Sequence, residues 1–164
     1  MSLYHLNVTL HVLTALLWLG GMFFLALVGA PVLRSVEPAE LRAALFRRLG
    51  ERFRIVGWIA IAVLLITGVL NLHFRGLLAD GVLLRGAFWS SPYGLALAWK
   101  LVAVTLMLLI QAFHDFVVGP AASRLPSGSP QMGAVRRRAA LLARSSALLG
   151  IVVVIAAVRL ARGG

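Results

Sequence analysis

Four apolar runs, at residues 3–32, 55–74, 93–118 and 139–158, govern what this chain can fold into. Each is long enough to cross about 30 Å of hydrocarbon at about 1.5 Å per residue. A backbone inside lipid has no water to bond to, so runs of this kind form helices. The expected structure is all-α: an integral membrane four-helix transmembrane bundle, one membrane domain over residues 1–164 with short loops. Composition agrees. Of the 164 residues 61% are hydrophobic and the mean hydropathy is +0.96, against about 45–50% apolar in soluble domains. The first run has no basic segment ahead of it and is too long for a signal-peptide core, so it reads as a retained span.

The net charge of +11 comes from 15 arginines and one lysine against five acids. In a soluble protein that balance would point to nucleic acid. Here the arginines lie between the apolar runs, where basic residues set topology, and no nucleic-acid partner is expected. The segment 34–54 holds six arginines and 119–138 holds four, whereas 75–92 and the C-terminal tail hold two each. The positive-inside rule then puts both termini on the outer side of a bacterial inner (plasma) membrane, as a multi-pass protein. Ser2→Cys and Gly164→Cys, in a chain with no cysteine of its own, should therefore label from outside intact cells. Labelling seen only after membrane disruption would invert the topology. Residues 39–49 are expected to form a separate short amphipathic helix, and Pro126–Pro130 a flexible connection. The absence of cysteine excludes disulfides, thiolate metal sites and thiol nucleophiles.

Orientation assigns depth to the polar residues. His5 lies at the outer interface and His11 about two turns below it. Thr67, Asn71 and His73 fall in the outer part of the second run. Lys100 lies about 10–12 Å beneath Pro92. His11, Thr14 and Trp18 share one helical stripe, as do Lys100, Met107, Gln111 and His114, and Thr67 and Asn71 are four apart. An ionisable residue deep in a span costs about 2.5–3.5 kcal/mol, so such residues face the interior. A shared polar pocket in the outer half of the bundle is the expectation. Lys100 is the lone lysine among arginines. A buried lysine can lose its proton and act as ligand or base, which a guanidinium cannot. The competing reading is a lysine that snorkels to the outer head groups. His5 and His73 read as interfacial residues before they read as ligands. His114 with Asp115 reads equally as an inner-end cap or a proton-relay pair. Trp18, Trp58, Trp89 and Trp99 are packing or belt residues, with Trp18 also on the His11 face. Gly20-Gly21 serves close helix packing.

The stretch from Leu10-His11 through Trp18 to Gly20-Gly21, followed by Pro31, resembles the opening helix of the CopD family of copper-resistance membrane proteins. Thr67-Gly68 and Trp99-Lys100-Leu101 resemble that family too. The same elements are similar to HemJ-type protoporphyrinogen oxidases, small four-span proteins whose matching histidine and lysine are implicated in binding haem b. The resemblance implies that His11 and Lys100 hold a cofactor, haem b or copper, with Trp18 and Asn71 beside them. As metal ligands the candidates are His11, His73, His5 and His114. Two features depart from these patterns. His114-Asp115-Phe116 with Gly119-Pro120 lies outside them, and four methionines (Met1, Met22, Met107, Met132) are few for a copper(I) path.

Three functional readings follow. The leading one is a CopD-like inner-membrane protein holding a metal or haem in its outer half, for copper transport or haem-linked electron transfer. The second is a haem b enzyme oxidising a porphyrinogen, with a quinone as electron partner. The third is a cofactor-free structural or assembly subunit. Beyond the lipid bilayer, the partners these readings imply are copper ion, haem or quinone. Enzyme status and homo-oligomerisation are left open by the residues.

Overall fold

In a computed structural model, residues 2–120 and 130–163 are described, with backbone alone for residues 130, 132, 133 and 136. The expected flexible connection within 119–138 lies largely outside the described residues. The chain is all-α, and among the described residues four helices are long and apolar enough to cross a membrane. Only 17–22% of each apolar window is buried within the protein, so most of the apolar surface is left for lipid. This is a multi-pass membrane protein. It divides into two compact units, Met1–Leu83 and Leu84–Gly164.

The first unit is a pair of helices. Helix α1 spans Leu3–Arg34 and opens on Ser2, whose hydroxyl accepts the His5 backbone N–H at 3.3 Å, the usual way to satisfy a free helix-end donor. The first apolar run was expected to end at residue 32, one past Pro31, and the helix carries on to Arg34. A π-helical turn at Leu25–Gly29 sits directly ahead of the proline. The wider turn accommodates a residue that lacks an N–H and would collide with the carbonyl four positions back.

Helix α2 spans Ala39–Phe74, 36 residues without a break. The amphipathic segment 39–49 is helical as expected, but it is fused to the second span instead of standing apart. Nothing between them stops a helix, because Gly50 is the one weak former among Glu51, Arg52 and Arg54. At about 54 Å, α2 is far longer than the hydrocarbon is thick, so its arginine-bearing first third lies beyond the apolar layer. Contacts between α1 and α2 run in opposite directions along the two helices. Asn7 meets Asn71, His11 meets Thr67, Trp18 meets Gly57 and Gly21 meets Phe53. At Gly21 a Cβ would stand 2.7 Å from the Phe53 ring, so this glycine admits the close approach, while its neighbour Gly20 faces open space.

Helix α2 ends in a Schellman motif. Leu77 N–H reaches Leu72 O at 3.0 Å and Gly76 N–H reaches His73 O at 2.9 Å, with Gly76 at φ 71°. Gly76→Ala should cost about 1 kcal/mol through that left-handed backbone alone, since no atom crowds the position. A melting curve in detergent measures it, and an unchanged midpoint would contradict the assignment.

The second unit holds a short helix α3, Gly86–Trp89, and two long ones, α4 at Pro92–Val118 and α5 at Pro130–Ala161. Ser91 caps α4 by accepting Gly94 N–H at 3.0 Å, and Pro92 occupies the first turn. The α3 backbone at Phe88 lies so close to Gly94 that a Cβ there would overlap its carbonyl. The inward stripe of α4 is Ala96, Ala103, Met107 and Val118, with Met107 the most enclosed at 1% exposure. Its last turn, His114–Val118, is again π-helical. Ser146, Gly150, Ala156 and Leu160 are buried positions of α5.

Candidate functional site

The first unit gathers a polar cluster from two helices. Thr67, buried at 3% exposure, donates its single hydroxyl proton to Val63 O at 2.7 Å, back-bonding along its own helix. Its oxygen lies 2.7 Å from His11 Nδ1, the two sharing a hydrogen bond. With the Thr67 proton on Val63 O, that bond is donated by Nδ1–H, the tautomer that leaves the imidazole lone pair on Nε2. One turn nearer the N-terminus, Asn7 donates to Thr67 O at 3.0 Å and to Asn71 Oδ1 at 2.9 Å. The half-buried His11 ring rests against Gly68, where an added Cβ would stand 3.6 Å from His11 Cε1. Two contacts thus hold the ring in place.

Asn7 was not singled out from the sequence. Its signal was present, since it lies four residues before His11 and eleven before Trp18, on the same stripe of α1. Trp18 lies further along that stripe, 6% exposed, over Gly57. Its indole Nε1 is buried and has no hydrogen-bond partner among the described residues. Thr14 is half-buried.

The remaining candidates have local surroundings. His5 is exposed and pairs with the Ser2 hydroxyl at 2.6 Å. His73 is exposed with its ring 5.9 Å from Phe74, and Tyr4 stands edge-on to the same Phe74. That arrangement is an aromatic belt at one end of the helix pair. Among the described residues no three His, Asp or Glu side chains come together as a metal-holding group. His5, His11 and His73 therefore do not form a three-histidine centre.

In the second unit Lys100 is half-buried and lies on the stripe of α4 that carries buried Ala96, Ala103 and Met107. Its neighbour Trp99 turns the other way and is 59% exposed. At the far end of α4, Asp115 is 6% exposed. Gln111 Nε2 donates to one carboxylate oxygen at 2.8 Å, and His114 Nδ1 lies 3.0 Å from the other. The stripe of Lys100, Met107, Gln111 and His114 seen in the sequence thus ends in a bonded cluster whose central member is Asp115.

Comparison with known proteins assigns the chain to a family. The profile described as copper resistance protein D matches residues 47–160, which takes in most of α2, all of α4 and nearly all of α5. Thr67, Asn71, His73, Lys100 and His114 lie within the match, while His5, His11 and Trp18 precede it. An uncharacterized protein of Aquifex aeolicus (strain VF5) is 32% identical over 111 residues. That alignment takes in 67% of this chain and 66% of the relative, so just under two thirds of the relative's length is covered. No solved structure matches. With the greater part of its length inside that profile, the chain belongs to the copper resistance protein D family.

Proposed function

We propose that this protein handles copper at the outer side of a bacterial inner membrane, with both termini outside and His11 as a nitrogen ligand. The family supports copper, and one observation supports the ligand. With its own proton on Val63 O, the Thr67 oxygen accepts a hydrogen bond from His11 Nδ1–H, the tautomer that leaves the imidazole lone pair on Nε2. Histidines that bind metals are held in this way, by an outer partner on the other ring nitrogen.

The donors fit copper in part. Imidazole suits it, and the neighbouring Asn7, Thr67 and Asn71 add only hard, neutral oxygens and amides. One nitrogen from His11 is a ligand for an ion held and passed on, not a closed storage site. Copper is the cargo in this reading. Lys100 is assigned a second role, because a half-buried amine on the interior stripe of α4 can give up its proton and become a nitrogen donor.

The same imidazole geometry would serve haem iron, whose axial histidines also carry their proton on the outer nitrogen. Purification in mild detergent separates the two. Copper found by elemental analysis without a Soret band supports copper handling. A Soret band transfers His11 to a haem, and with it the haem-linked electron-transfer and porphyrinogen-oxidising readings. Neither signal leaves a cofactor-free structural subunit.

A further inference from the structure

At the end of the first unit away from Asn7 and His11, an open groove of about 300 Å³ is lined by Leu33, Leu45, Arg48, Leu49 and Arg52. Leu33 comes from the last turn of α1. The other four fall at i, i+3, i+4 and i+7 on α2, which makes them one face of that helix. The three leucines are half-buried and form a floor, while both arginines are exposed at the rim.

Two arginines four residues apart on one helix face repel each other. Among the described residues Arg42 is held by Glu37 at 2.9 Å, and neither Arg48 nor Arg52 has an ion pair with Glu51 or any other acid. The rim therefore presents two guanidinium groups with no acidic partner among the described residues. We infer that this groove binds an anionic glycerophospholipid, one acyl chain on the leucine floor and the phosphate on Arg48 and Arg52. A guanidinium presents a planar fork that matches phosphate oxygens two at a time. The groove lies just ahead of residue 55, where the apolar run of α2 begins, and so at the level of lipid head groups. Free phosphate would satisfy the rim and gain nothing from the floor.

The test uses the full-length protein in detergent, offered equal amounts of phosphatidylglycerol and phosphatidylcholine, with retained lipid counted by native mass spectrometry. Phosphatidylglycerol should be kept in preference. The Arg48→Gln/Arg52→Gln double variant should lower that preference roughly 30-fold, from about a tenfold factor for every 1.4 kcal/mol and about 1 kcal/mol per arginine. Arg47→Gln/Arg54→Gln, which leaves the groove residues intact, should change it little. Equal retention of both lipids by the unaltered protein would refute the site. So would an equal loss in the two double variants, or retention of inorganic phosphate as strong as that of the lipid. Matching melting midpoints across the variants exclude misfolding as the cause.

Discussion

Replacing Thr67 by valine should weaken copper binding about 10- to 100-fold while leaving the helix pair folded. Valine keeps the shape of threonine and inserts readily into lipid, but it offers His11 no acceptor. The Nδ1–H would then be buried without a partner, a cost of about 1–3 kcal/mol that a change of tautomer relieves. That change puts the proton on Nε2, where a metal cannot bind. Thr67→Ser restores the hydroxyl and should restore most of the affinity, whereas His11→Ala should abolish binding. Titration of each purified variant with copper provides the measurement. Full affinity in the valine variant would show that the Thr67 bond only packs the helices.

The contrast between Lys100→Arg and Lys100→Met should be larger still. If the amine acts as a neutral donor, arginine keeps the charge but cannot deprotonate, and copper bound per folded protein should fall more than about 100-fold. Methionine carries no charge and can ligate copper through sulfur, so it should retain part of the binding. A snorkelling lysine gives the reverse order, because arginine also reaches the head groups. Full occupancy in the arginine variant would therefore end the ligand role. Partial binding in arginine with none in methionine would reassign Lys100 to holding an anionic group by charge.

Most of the architecture was legible because lipid permits so few alternatives. Runs of apolar residues marked the four helices, and the faces of His11, Thr67 and Lys100 followed from helical spacing. The ends were harder. Hydropathy reports where the hydrocarbon stops, and α2 continues beyond it, since residues 49–55 contain no proline to break the helix. Helix α1 likewise outlasts its apolar run, because a π turn lets it pass Pro31. At the site, Thr67 and Asn71 were visible as a pair on one helix, yet Asn7, the partner that bonds the Thr67 backbone carbonyl and the Asn71 side chain, was not. A stripe shows which residues share a face and not which of them reaches across. The proton of Thr67 is further out of reach, being settled by a carbonyl four residues back that no side-chain pattern records. The opening-helix motif and the family match also fall on different parts of the chain, with His11 ahead of residue 47 and Lys100 well inside. The ligand assignment for His11 therefore rests on geometry.

The two π turns bear on how this chain tolerates changes in length. A turn closed over five residues instead of four carries one residue more than the α-helical register needs, as where Ala30 N–H bonds back to Leu25 O. Deleting one residue from Leu25–Gly29 would let that turn close as a regular α-helical one and leave the residues beyond it close to their present faces, whereas the same deletion elsewhere in α1 would rotate everything beyond it by about 100°. His11 would keep its alignment with Thr67, and Leu33 its place on the floor formed with Leu45 and Leu49. The same deletion within His114–Val118 would spare Lys100 in the same way. A lost residue is thus better absorbed at these two turns than anywhere else in either helix.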